Sequence, residues 1–450
     1  MVDTAALEAQ LDSFDAASRR EALDALADAA AQGSIELPPP QPRVNLHGHT
    51  FFSYNALGYS PSRFAWEGRK AGLSMVGTVD FDVLDAMEEI HAAGDRLNLP
   101  ATAGLETRVF VEPFADKELS SPGEPGIAYF MGIGFARTPQ TEPGQATLQS
   151  MRDRADARNR AMLERVNAFL DYVQIDYDKD VLPLTPAGNA TERHMLEAFE
   201  ARSHEIFADR PDAAAEFWAG KLNMPRELLG AFLADSNAFR DTLRSKLMKR
   251  GGVGYVAPAR DTFPGIEEVV AMIRSAGAIP TITWLDGASN GETDAAAMLE
   301  TFVGLGCEAL NIIPDRNWCI TDPVEKETKI AKLEEIVALC RAHHLPVIVG
   351  TEMNKAGQKF VDDFDAPELA SVVDAFLAGA DFLYGHTLLE RACAHGRMSD
   401  WAAAAFASRE EAVAFYSELG RAAGAPKEAL EELRTLPEDH DAQAVHDLFA

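Results

Sequence analysis

Short β-branched apolar runs recur along the chain. Between them lie stretches in which apolar positions repeat every three or four residues. The first pattern reads as buried strand and the second as amphipathic helix. In residues 5–31, Leu7, Leu11, Phe14, Leu23 and Leu26 stand at near-helical spacing and predict one or two helices, ended by Gly33. Pro38, Pro39 and Pro40 then lead stiffly into a strand at 44–46. Ser60 and Pro61 open the next helix as N-cap and first residue, and Gly72 closes it. Further strands are predicted at 73–79, 101–106, 109–111, 127–135, 278–283, 309–313, 346–350 and 382–385, with helices between most of them. One of these helices begins at Asp322 and Pro323, with Glu325 completing a capping pattern.

From about residue 139 to 250 the strand signal vanishes. Apolar groups such as Met162, Val166, Phe169 and Leu170, then Met195, Leu196 and Phe199, then Leu228, Leu229 and Phe232, predict a helical insertion. The chain thus divides into a helical extension (1–40), a first barrel part (41–139), the insertion (140–250), a second barrel part (251–395) and a helical, acidic tail (396–450). Repeated strand–helix alternation predicts an α/β fold with a parallel sheet, and about seven strands predict a closed or nearly closed barrel.

Composition narrows the class. The 450 residues are 47% hydrophobic, enough for a sizeable core, and carry a net charge of −30. So negative a surface repels nucleic-acid phosphates, and an anionic substrate needs a local cationic pocket. Cys307, Cys319, Cys340 and Cys393 are scattered without a C-x-x-C pair, which fits reduced thiols in a cytoplasmic protein better than a disulfide framework or zinc knuckle. The N-terminus, with Asp3, Glu8, Asp12 and Asp15, does not read as a signal peptide, and no run is long enough to span a membrane.

The candidate chemistry sits just past the strand ends. His47 and His49 are two residues apart at the end of an extended segment, so both imidazoles can face one divalent ion. Asp80, Asp82, Glu106, Glu352, Asn354 and His386 stand after other strands, and barrel active sites draw on the ends of several strands. Asp80 and Asp82 can instead cap the following helix, and His386 can be a hydrogen-bonded structural histidine. Trp284 and Trp318 can stack on a sugar or base, or simply pack over the barrel mouth.

These motifs give the chain a resemblance to the PHP superfamily, the polymerase-and-histidinol-phosphatase domain of metal-dependent phosphoesterases. Leu46-His47-Gly48-His49-Thr50-Phe51-Phe52-Ser53 matches that family's L-H-x-H-T-x-x-S, and Gly104-Leu105-Glu106 its G-[IL]-E, whose glutamate bridges metals. Thr191-Glu192-Arg193-His194 is a loose counterpart of its G-R-P-H, in which arginine binds phosphate. The resemblance covers roughly residues 43–390. It implies a distorted (β/α)7 TIM-like barrel of the PHP type with an α-helical insertion. The chain also departs from the pattern. Tyr54-Asn55 replace an aspartate after Ser53, and Phe81 replaces the histidine of T-D-H. Tyr129 replaces a histidine before Gly132, Trp284 stands in the A-H-P motif, and Glu352 with Asn354 stand for a late aspartate and histidine.

The reading that follows is a metal-dependent hydrolase, a phosphoesterase acting on a small phosphorylated metabolite or nucleotide. His47, His49, Glu106, Glu352, Asn354 and His386 would hold one or two zinc, manganese or iron ions. Asp80 or Asp82 would complete the shell or act as base, with Arg193 and Lys355 neutralising phosphate. The alternative is a degenerate barrel of the same kind that binds a small ligand or runs a different single-metal reaction.

Overall fold

The computed structural model describes residues 3–449 apart from the side chains of Leu228, Ala231 and Phe232, so two of the apolar residues assigned to the insertion lie outside it. Seven strands make one sheet in chain order: β1 (Gln41–Gly48), β2 (Leu73–Phe81), β3 (Ala101–Phe110), β4 (Ile127–Ile133), β5 (Ile279–Thr283), β6 (Ala309–Ile312) and β7 (Val347–Val349). All run parallel except β4, which is antiparallel to both β3 and β5. The sheet curls into a nearly closed barrel. Its ends meet where Gly48 bridges Glu352, with the His49 amide donating to the Glu352 carbonyl at 2.7 Å and the Glu352 amide donating to the His47 carbonyl at 2.8 Å. This approach leaves no room for a side chain at Gly350, where an added Cβ would lie 2.4 Å from the His47 nitrogen.

Short, capped helices return the chain between parallel strands. Ser60 accepts from the Arg63 amide to start the Pro61–Lys70 helix, and Asp322 accepts from the Val324 and Glu325 amides to start Pro323–Ala342. Both follow from local sequence, since short polar side chains satisfy amides that a first turn leaves free. The main core fills the barrel and the space under these helices, with Trp66, Phe64, Phe130 and Phe302 fully enclosed.

Between β4 and β5, residues 142–248 contain only helical elements and their connections, from Glu142–Leu170 onward. They enclose an apolar cluster of their own around Val166, Met195, Phe199, Trp218 and Leu243.

One predicted strand is a helix. Residues 382–385 lie inside Val373–Cys393, which packs along Arg409–Ala422 so closely that an added Cβ on Gly385 would sit 2.0 Å from the Tyr416 carbonyl oxygen. A run of four apolar residues is buried equally well as a strand or as a helix enclosed on all sides, and periodicity does not separate the two. No helix is long and apolar enough to cross a membrane among the described residues.

Candidate metal centre

His47 lies in β1 and His49 just beyond it, and their rings are 5.4 Å apart. Glu106 lies in β3, level in register with Phe81 at the end of β2. Glu106 Oε2 is 3.4 Å from His49 Nε2 and 3.7 Å from His47 Nε2. The three ligand atoms all lie within 4.8 Å of one another, and all three residues are buried.

The hydrogen bonding around the rings decides which nitrogens are free. His47 Nδ1–H donates to Asn311 Oδ1 at 3.0 Å, and Asn311 is oriented by donating its own Nδ2–H to the Ile348 carbonyl. His49 Nδ1–H donates to Ser53 Oγ at 3.1 Å, whose hydroxyl donates in turn to Asp80 at 2.6 Å. Both imidazoles are therefore held with a proton on Nδ1 and a lone pair on Nε2. Both Nε2 atoms are buried without a hydrogen-bond partner. Unpaired buried acceptors are costly, and two that converge on one carboxylate have the form of a metal shell whose outer hydrogen bonds fix the tautomers.

Electrostatics agree with this form. Burial by itself would raise Glu106, yet positive charge on the facing His47 and His49 rings holds it down at about 2. Burial would lower His47, yet Glu106 and Glu352 raise it. The pocket thus favours positive charge opposite Glu106, which a divalent cation supplies more strongly than a proton.

Asp80 and Asp82 turn away from this centre. Asp80 accepts from the Thr50 amide (2.8 Å), the Thr50 hydroxyl (2.6 Å) and Ser53, so both of its oxygens are already engaged. Its place is behind His49, as a positioning residue. Asp82 has a left-handed backbone (φ 61°) and accepts from Thr107 Oγ at 2.5 Å. The Arg158 and Arg108 charges act on it as well, and its carboxylate does not join the three ligand atoms of the centre. Neither aspartate caps a helix: the next one, Met87–Leu97, follows Ala86 with no side-chain cap.

Glu352 and Asn354 do not join the centre. Glu352 and Met353 both have left-handed backbones (φ 64° each), so the extended geometry that would align residues 352 and 354 is broken. Arg316 grips both Glu352 oxygens at 2.7 and 2.8 Å, with Gln358 donating at 3.0 Å. Asn354 stays half-exposed. His386, on the helix misread as a strand, donates from Nε2 to the Gly134 carbonyl and accepts the Arg397 amide at Nδ1, leaving no atom for an ion. Burial lowers its pKa to about 4. Arg193 and Lys355 share one carboxylate, Asp241, at 2.8 and 3.6 Å, so both charges are answered within the protein.

Other positions singled out in the sequence also find structural partners. Phe81 stacks on His49 with centroids 4.4 Å apart and braces the ring with an apolar face. Asn55 donates to the His49 carbonyl at 2.7 Å and pins the loop. Trp284 is buried, and Trp318 donates to Asp362 at 3.0 Å.

Two residues that carry weight here went unread. Asn311, within Leu310-Asn311-Ile312, is a lone amide in an apolar strand, and such a residue is the available signal. Arg108 stands two residues past Glu106 on a regular stretch of β3, hence on the same face, directly opposite Tyr129 of β4. Its guanidinium donates to Glu124 at 3.0 Å and lies over the Phe263 ring, which the Arg158 guanidinium also approaches at 4.5 Å. Burial raises the Tyr129 hydroxyl, so it stays protonated near neutral pH.

No protein-family model matches the chain, and a search of curated proteins finds no match. Among solved structures, an amidohydrolase from Chromobacterium violaceum, with bound sulfate and no metal, is 17% identical over 74% of this chain and 96% of its own, with a TM-score of 0.48. A candidate metal-dependent phosphoesterase from Bifidobacterium adolescentis is 18% identical over 75% and 98%, with a TM-score of 0.46. At this distance neither likeness bears on the reaction.

Proposed function

We propose that the chain is a metal-dependent hydrolase of small phosphorylated substrates, built on one ion held by His47, His49 and Glu106. The observation that carries this reading is the pair of buried, unpartnered Nε2 atoms facing a buried carboxylate. Three protein ligands with a remaining open position are the pattern of catalytic rather than structural sites, and two imidazoles with one carboxylate suit zinc, manganese or iron. When bound, such an ion supplies Lewis acidity toward a phosphoryl oxygen and an activated water.

The chain's own groups do the rest. Asn311 and the Ser53–Asp80 relay keep the two imidazoles in the ligating tautomer. Phe81 shields one side of His49 from water. Arg108 lies on the Glu106 face and, although one of its nitrogens is paired with Glu124 at 3.0 Å, its remaining guanidinium N–H groups can hold an anionic group despite the protein's negative surface. Arg158 adds a second positive charge beside it, and the Tyr129 hydroxyl can donate to the same group. This placement of cations on the Glu106 face supports a phosphoryl group rather than a neutral substrate.

A second reading is favoured by one observation, the engagement of both Glu352 oxygens by Arg316 Nη2. It takes away the ligand that a two-ion phosphoester hydrolysis would need, and a single ion serves equally for hydrolysis of another anionic substrate, such as a carboxylate-bearing amide or ester. Steady-state hydrolysis by the zinc-, manganese- and iron-loaded protein separates the two. Turnover of a phosphomonoester panel that disappears in Glu106→Gln supports the phosphoesterase. Turnover of carboxylate-bearing amides or esters alone would overturn it.

A further inference from the structure

Far along the chain from the first centre, the tail folds back so that Cys393, His395 and His440 meet, their ligand atoms all within 4.8 Å of one another. Cys393 is the last residue of the Val373–Cys393 helix. Ala394 follows in a left-handed conformation (φ 60°). His395 Nδ1 is 3.3 Å from His440 Nε2. We propose that these three residues form a second site, for one zinc ion, that ties the C-terminal helices to the helix following β7.

The ring orientations argue for it. His440 Nδ1–H donates to the Pro437 carbonyl at 2.7 Å, which leaves a lone pair on Nε2, the atom facing His395. A backbone carbonyl on the outer nitrogen is the usual brace of a ligating imidazole. The His395 ring is clamped flat against Trp401, with centroids 4.8 Å apart and planes 7° from parallel. The Tyr416 hydroxyl fixes the His395 carbonyl at 2.7 Å, and Trp401 Nε1 fixes the His440 carbonyl at 2.9 Å. The pair is thus held from behind on both sides.

The distances fit as well. With bonds of ~2.0–2.3 Å, the edges of a tetrahedral zinc site are about 3.3–3.7 Å. The nitrogen–nitrogen separation already has that value, and the sulfur lies within 4.8 Å of both nitrogens. It donates weakly to the Leu389 carbonyl at 3.4 Å and accepts from the His395 amide. A proton shared between the two imidazoles would explain their contact but not the sulfur beside them. One thiolate and two imidazoles are a borderline-soft set, which suits zinc and leaves a fourth position for water or an incoming side chain. The site uses no residue of the His47 centre and stands whether or not that centre is a hydrolase.

Cobalt titration of the full-length protein tests it, because only a thiolate ligand gives the near-ultraviolet sulfur-to-cobalt charge-transfer band and the first centre has no sulfur. The wild type is expected to develop the band and lose it on addition of zinc. Cys393→Ser and His440→Gln, with folds verified by circular dichroism, are expected to lack it, while Cys319→Ser, which changes an exposed thiol, keeps it. Zinc is also expected to slow alkylation of Cys393 in the wild type. Absence of the band in the wild type, a full band in Cys393→Ser, or equal alkylation with and without zinc would overturn the proposal and leave a hydrogen-bonded histidine pair only.

Discussion

Replacing Asn311 by leucine removes the acceptor for His47 Nδ1–H while keeping a side chain of similar size. His47 is fully buried, so no water takes over the bond. The loss of a hydrogen bond to a buried donor costs about 1–3 kcal/mol. The metal-free protein can recover part of this by moving the proton to Nε2, where it meets Glu106 Oε2, now 3.7 Å away. That move consumes the lone pair the ion needs, so the cost falls on binding. Outer partners of ligating histidines are worth roughly 10- to 100-fold in affinity, or about 1.4–2.8 kcal/mol. Competition titration with a zinc chelator is expected to show a loss in that range for Asn311→Leu. Long-range proton–nitrogen NMR of the metal-free protein is expected to show His47 switching from the Nδ1–H to the Nε2–H tautomer. Wild-type affinity with the Nδ1–H tautomer retained would refute the claim that Asn311 sets the ligand.

Three further perturbations test other parts of the account. Glu352→Gln is expected to weaken zinc binding at the His47 centre only slightly by calorimetry, through the loss of a nearby negative charge, because Arg316 already occupies its carboxylate; a loss as large as that of Glu106→Gln would restore Glu352 as a ligand. Arg108→Met is expected to raise KM for a phosphorylated substrate by roughly ten- to hundredfold, the worth of a hydrogen bond to a charged group, at constant zinc affinity; an unchanged KM would remove Arg108 from substrate binding. His386 is held neutral to about pH 4 by burial, whereas an unfolded histidine titrates near 6.5. The unfolded chain therefore takes up the proton first, and stability is lost as the pH falls from about 6.5 toward 4. Urea titrations at pH 7 and 5 should show His386→Gln losing about 2 kcal/mol less than wild type between them, and identical losses would contradict the buried neutral ring.

How far the sequence could be read depended on whether local geometry held. His47, His49 and Glu106 were legible because β1 and β3 are extended to the residues concerned, so spacing translated directly into direction. Ser53 was visible within its motif, but its role as a relay to Asp80 appears only once the loop folds back over β2. The pairing of residues 352 and 354 failed for the same reason the first pair succeeded, since two successive left-handed residues follow β7. His386 was misplaced because four apolar residues in a row say buried without saying helix or strand. Asn311 carries no motif, and its partner His47 is 264 residues away in the chain. The Cys393–His395–His440 cluster was invisible to spacing rules, since His440 comes 45 residues after His395 and reaches it only through the packing of the tail. For Asn311 and for the Cys393 cluster, contacts between distant elements were the part that composition and periodicity could not supply.

The central claim is that His47, His49 and Glu106 hold an ion directly, and anomalous X-ray diffraction from crystals of the zinc-loaded protein, measured on both sides of the zinc absorption edge, tests it most directly. The account predicts an anomalous peak between His47 Nε2, His49 Nε2 and Glu106 Oε2, at ~2.0–2.2 Å from each. A map with no peak there, in which the two Nε2 atoms instead hydrogen-bond to Glu106 or to water, would contradict it.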